Sequence, residues 1–343
     1  MHIRSALAAA TTVVVTAASC LMVASPASAH SAPRLGACSP SVNVTGYSDA
    51  LDKTTFKGAV VGNLSSLAVD TNGRLAALSD RSELFTLDRH NRPDSVVALA
   101  DEKGQQLDSE GLAILRDGTR LVTSENEPSV RRYDRRGRLL GALPVPENLQ
   151  KYKVRNRTFE GLTLDDHERT LIASMEGWLT TDGTDTRRFQ TWQRGHHGDF
   201  RVDRQFAYMG DTGYGISEIA AVGDSRLLVL ERSFNTSVGW TAHLYLADPR
   251  RATDVSKVSS LPNSAPGVRF ASKTLLAKLE GCPSQGAPSK VPGQANPLIG
   301  NIEGMAITGR HHDRLHLTLV TDDGESATEI TRMYGLDVRL PRR

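Results

Sequence analysis

One short segment is restated along the chain, and its repetition constrains the fold more than any other feature. Ser109-Glu110-Gly111-Leu112-Ala113-Ile114 returns as Phe159-Glu160-Gly161-Leu162-Thr163-Leu164 and as Ile302-Glu303-Gly304-Met305-Ala306-Ile307. Ser217-Glu218-Ile219-Ala220 lacks the glycine, and Asn63-Leu64-Ser65-Ser66-Leu67-Ala68 lacks the acid. Each copy is followed by a turn such as Arg116-Asp117-Gly118-Thr119. A second apolar run then ends in Asp80, Glu125, Glu176, Glu231 or Asp322. Such a unit reads as a β-hairpin with one carboxylate at the head of its first strand and another at the tail of its second.

Repeats of this size signal propeller blades or solenoid turns, each unable to bury its apolar face alone. Many short strands at regular spacing favour an all-β propeller of four-stranded blades over a sandwich. Five heads are legible. The long interval from Glu218 to Glu303 has room for a degenerate blade, so the expectation is six. Helical periodicity is scarce. The one candidate helix is 270–279, which sets Leu275, Leu276 and Leu279 on one side before Gly281. Residues 133–157 read as an insertion, 187–193 and 200–208 as an outer hairpin, and 240–246 and 252–261 as a further pair of strands.

Residues 1–29 have the form of an export signal: a basic head at His2 and Arg4, an apolar stretch, and Ala27-Ser28-Ala29 as cleavage site. The expected product is a secreted protein with no membrane attachment after cleavage. A segment 30–56 carrying Cys38 then precedes a domain spanning 57–343. Cys38 and Cys282 survive cleavage, and in an oxidising compartment an even pair is expected to form a disulfide, with two buried thiols as the alternative. The formal net charge of +2 in 343 residues gives no reason to expect nucleic acid as a partner. A monomer acting on a small-molecule ester or phosphate ester is the expectation.

In a propeller the first strand of each blade lines the central channel. The heads Glu110, Glu160, Glu218 and Glu303 would then converge on one mouth, beside the tails Asp80, Glu125, Glu176, Glu231 and Asp322. Carboxylates so gathered repel one another unless protonated or neutralised, and calcium, which takes six to eight oxygen ligands, is the natural neutraliser outside a cell. The pairs His196-His197 and His311-His312 are sequence neighbours that point apart on a strand, so no zinc cluster is indicated. Arg81 and Arg232 each follow a tail acid, placed either to bind a phosphate oxygen or to pair with that acid. No G-x-S-x-G elbow is present.

With these segments laid out, the chain resembles the secreted bacterial "esterase-like activity of phytase" family. The carriers are Asn63-Leu64-Ser65-Ser66-Leu67-Ala68, Leu78-Ser79-Asp80-Arg81, Ser109-Glu110-Gly111-Leu112, Phe159-Glu160-Gly161-Leu162 and Asn301-Ile302-Glu303-Gly304-Met305. The resemblance implies a β-propeller with phosphoesterase or esterase activity. More distantly the chain looks like the calcium-dependent β-propeller phytases, whose Glu-Gly strand heads face the channel. Their D-D-P-A-aliphatic-W and N-N-aliphatic-D-aliphatic-R segments are absent, so phytate is not implied as substrate and no catalytic residue is carried over. The reading is a calcium-dependent phosphoric-ester hydrolase. Its rivals are a carboxylic-ester or lactone hydrolase on the same scaffold, and a binding propeller whose calcium is structural.

Overall fold

The computed structural model describes residues 36–165 and 167–341. The expected signal segment 1–29 lies outside the described residues. Among the described residues, twenty strands form five four-stranded antiparallel sheets, and Thr54–Phe56 pairs with Ala59–Val61 in a separate two-stranded sheet. Blade I holds Leu64–Val69, Leu75–Ser79, Glu83–Leu87 and Pro93–Ala98. Blade II holds Ser109–Ile114, Arg120–Ser124, Ser129–Tyr133 and Leu139–Ala142. Blade III holds Phe159–Leu164, Thr170–Met175, Thr186–Arg194 and Phe200–Met209. Blade IV holds Gly215–Ala221, Leu227–Asn235, Gly239–Asp248 and Ser272–Lys278. Blade V takes Asn301–His311, Arg314–Asp322 and Met333–Arg339 from the end of the chain and Val42–Ser48 from its beginning. The first strands touch in cyclic order, I to V and back to I, so the fold is a closed propeller.

Five apolar clusters hold the ring, one between each pair of neighbouring blades. Between II and III, for example, Leu121 and Val130 meet Phe159, Leu171 and Trp192, all fully buried. Each such side chain contributes about 1.5–3 kcal/mol by leaving water. The strand Val42–Ser48 pairs with Met333–Arg339 and closes the ring, so the propeller reaches back well before residue 57. The Cys38–Cys282 disulfide fastens the residues ahead of that strand to the end of blade IV. The Ser39 hydroxyl adds a hydrogen bond to the Leu276 carbonyl at 2.6 Å.

Five blades, not six, is the first departure from the sequence reading. The interval from Glu218 to Glu303 is spent on one blade and two irregular stretches rather than on a degenerate sheet. One of these, 249–271, contains the expected strand 252–261, which does not form. The stretch, which also carries Pro262 and Pro266, lies instead along the edge of blade III. There Val255 donates its N–H to the Gln205 carbonyl and Ala271 to that of Ala207. This covers an edge that would otherwise be left unpaired.

The segment 270–279 is a strand rather than a helix. Ser272–Lys278 pairs with Gly239–Asp248, and a register shift at Leu244 and Tyr245 lets Leu276 and Ala277 both turn inward. Pairing overrides local periodicity there. The insertion 133–157 contributes the outer strand of blade II and the one-turn helix Glu147–Lys151, pinned by fully buried Leu149.

Candidate functional site

The strand register assigns equivalent positions across the blades. Counting back from the buried aliphatic pairs Leu67–Ala77, Leu112–Val122, Leu162–Ala173, Ile219–Val229 and Met305–Leu319 aligns all five hairpins. The head position is then Ser65, Glu110, Glu160, Ser217 and Glu303 in blades I to V. Two residues earlier, on the same side, stand Asn63, Asp108, Thr158, Gly215 and Asn301. Facing these across the hairpin at the tail position are Asp80, Glu125, Glu176, Arg232 and Asp322. The backbone confirms the pairing: Asp80, Glu125 and Glu176 donate their N–H groups to the carbonyls of Asn63, Asp108 and Thr158 at 2.8–2.9 Å. A β-bulge interrupts every first strand at its head and aims the head side chain into the mouth.

Blade IV is therefore offset by one residue from the sequence reading. Ser217 and Arg232, not Glu218 and Glu231, hold the head and tail positions. Alternate residues of a strand face opposite ways, so the offset sends both glutamates elsewhere. Glu218 occupies the place that glycine holds in blades II, III and V. Its carboxylate accepts hydrogen bonds from the Ser66 hydroxyl at 2.5 Å, Ile219 N–H at 2.9 Å and Leu162 N–H at 3.2 Å. It thus plugs the channel. The glycines are needed because the strands crowd together at this level. A Cβ on Gly111 would fall 2.2 Å from the Glu160 carbonyl oxygen, and one on Gly161 would fall 2.6 Å from Ile219 N.

Glu231, fully buried, accepts from the Tyr208 hydroxyl at 2.5 Å, Asp211 N–H at 2.7 Å and Lys273 Nζ at 2.9 Å. Neither Glu218 nor Glu231 joins the acid cluster.

The remaining acids do converge. Carboxylate oxygens of Asp108, Glu110 and Glu125 lie within 4.8 Å of one another, and so do those of Glu125, Glu160 and Glu176. Glu125 is shared. On the other side Arg232 reaches Glu303 at 2.6 Å, Glu176 at 3.7 Å and Glu160 at 3.8 Å. Asn301 donates its amide to Glu303 at 2.8 Å, and Asn63 donates to Asp80 at 3.0 Å. Arg81 sits on the rim, 55% exposed, 3.6 Å from Asp80 and 3.3 Å from Glu325. Arg157 lies 3.6 Å from Glu176. Sequence reasoning passed over Asp108 and Arg157, although the alternation Asp108-Ser109-Glu110 already places two acids on one face.

Burial and mutual repulsion govern the charge state. Burial, then the neighbouring Glu303 and Glu125, pushes Glu110 well above the ordinary carboxylate range, and burial with Glu110 and Glu176 does the same to Glu160. Burial raises Glu125 to about 7, with Glu176 and Asp108 adding to it. Glu303 is pushed up to about 8 by burial against the opposing pull of Arg232, and Asp80 to about 6 by burial. Burial alone would lower the Arg232 guanidinium, but Glu303, Glu176, Glu160 and Glu110 outweigh it and hold the cation charged.

This donor set suits a hard cation. It is all oxygen, it repels itself when bare, and it sits beside buried oxygens with no hydrogen-bond partner among the described residues: Asn63 Oδ1, Ser65 Oγ, Ser217 Oγ and Asn301 Oδ1. The carboxylate groups can hold a metal ion.

A family model described as phytase-like, esterase-like activity of phytase, matches residues 59–325. The chain belongs to this family. The matched region contains all five acid-bearing or serine heads. No curated protein matches the chain. Among solved structures, the PQQ-bound form of aldose sugar dehydrogenase from Streptomyces coelicolor is 14% identical. Its alignment covers 89% of this chain and 100% of that one, at a TM-score of 0.42.

Proposed function

We propose that this phytase-like propeller is a secreted calcium-dependent hydrolase of phosphoric esters, working at the acid-lined mouth. The observation that carries the reading is the pair of carboxylate triads sharing Glu125, flanked by guanidinium groups at the rim. Asp108, Glu110, Glu125, Glu160 and Glu176 would hold calcium, and bound there it supplies charge neutralisation and Lewis acidity toward an ester oxygen. Arg232 fixes Glu160, Glu176 and Glu303 and keeps them from repelling one another out of place. Arg81 and Arg157, both partly exposed, attract and orient an anionic phosphoryl group. Glu218 and Ser66 close the channel beneath, so substrate enters and leaves from one side. The Cys38–Cys282 bond supports export to an oxidising compartment, in line with the signal-like residues 1–29. The protein is proposed to act as a monomer on a small molecule.

The test is turnover of a chromogenic phosphate monoester by the purified mature chain, with calcium and with chelator, alongside melting temperature. Activity lost on chelation supports the proposal. A calcium-dependent melting temperature without turnover of phosphate or carboxylic esters would replace it with a binding propeller. Turnover of carboxylic esters alone would replace it with an esterase.

A further inference from the structure

Beside the acid cluster, the hairpin of Leu227–Asn235 and Gly239–Asp248 carries an aromatic surface that the ester chemistry leaves unused. Arg232 and Phe234 are two residues apart and share one face of the hairpin. Trp240 is the cross-strand partner of Phe234, so it stands on that face too. The two rings pack with centroids 5.0 Å apart, and the Arg232 guanidinium lies 5.9 Å from the Trp240 ring. The aromatic face is thus continuous with the carboxylate site through one residue.

Phe234 is 48% exposed and Val238, at the hairpin tip, 41%. The surface is also held still. Trp240 donates its N–H to Gln294 Oε1 at 2.8 Å and its indole N–H to Glu329 at 3.0 Å, while Gln294 returns a bond to the Trp240 carbonyl at 3.0 Å. A braced aromatic pair beside a polar site is preorganised to receive a flat group.

The charges at the mouth set a further limit. Arg232 is committed to buried carboxylates, and Arg81 and Arg157 each already face a carboxylate, so they serve one phosphoryl group and offset little negative charge beyond it.

We propose that the Phe234–Trp240 face binds the organic part of the substrate, and that this part is a flat ring bearing a single anionic ester group rather than a multiply phosphorylated polyol. This deepens the phosphoric-ester reading and rests on it. The test uses two non-hydrolysable probes, phenylphosphonate and methylphosphonate, titrated calorimetrically into the calcium-loaded protein, with melting temperatures recorded in calcium and in chelator. Phenylphosphonate is expected to bind about tenfold more tightly, as an added aromatic contact allows. Phe234→Ala should cut that ratio to about twofold, and Phe234→Tyr should preserve it.

Equal binding of both probes, or a ratio untouched by Phe234→Ala, overturns the inference while leaving the metal reading intact. If neither probe binds, the inference falls. The calcium dependence of the melting temperature then tells whether the metal site falls with it.

Discussion

Arg232 is the cation of a position that is acidic in the other four blades, and replacing it with glutamine probes the logic of the whole mouth. Its side chain is 16% exposed, and its partners Glu303, Glu176 and Glu160 are 9%, 9% and 5% exposed. Two unit charges about 4 Å apart in such surroundings attract by about 4 kcal/mol at an effective dielectric near 20. Much of this repays desolvation, yet removing one partner leaves the others buried and uncompensated, which typically costs about 3–5 kcal/mol.

With about 2.1 cal/mol/K of unfolding entropy per residue over roughly 300 residues, the expected fall in melting temperature is about 5–8 °C. Arg232→Gln should show this in chelator at pH 8, measured by circular dichroism or calorimetry. The loss should shrink toward pH 5, where Glu303, raised to about 8 by burial, takes up a proton, and calcium should restore most of it. An unchanged melting temperature in chelator at pH 8, or a loss that calcium does not relieve, would refute the account of Arg232 as the built-in counter-ion.

Three further outcomes follow from the same geometry. Glu160→Gln should weaken calcium binding by at least about tenfold in a calorimetric titration. Glu218→Gln should leave the affinity within about twofold, while Glu218→Ala costs about 2–4 kcal/mol through orphaned donors and a hole on the axis; equal effects of Glu160→Gln and Glu218→Gln on affinity would contradict the register. In chelator, stability should fall as pH rises. Asp80, Glu125 and Glu303 bind more protons folded than unfolded, so their contribution is complete below 3.8–4.5 and is lost through about 6 for Asp80, about 7 for Glu125 and about 8 for Glu303. A melting temperature that instead climbs between pH 5 and 8 would reverse that sign. Replacing Cys38 and Cys282 with serine should cost about 2–5 kcal/mol, read from denaturant midpoints, because the bond closes a loop across a sequence separation of 244.

What the sequence disclosed was the repeat, and what it concealed was a single step of register. The motif copies identified the first strands of all five blades, because each must present the same apolar face to its neighbours. It could not count blades in the stretch after Glu218, since coil that runs along a sheet edge and coil that hides a worn strand have the same composition. In blade IV it took Glu218 for a head because an acid recurred there. Yet the aliphatic that follows, Ile219, aligns with Leu112 and Leu162, and so places Glu218 where Gly111 and Gly161 stand.

Reading from the buried aliphatics rather than from the acids would have found the offset, because core residues answer to packing and cannot slip. The same shift exchanges Glu231 for Arg232 at the tail. One displaced residue therefore turns what would be a fifth tail acid into the cation that holds Glu160, Glu176 and Glu303 together. It also keeps Glu218 and Glu231 out of the two carboxylate groups that share Glu125 and could hold a metal ion.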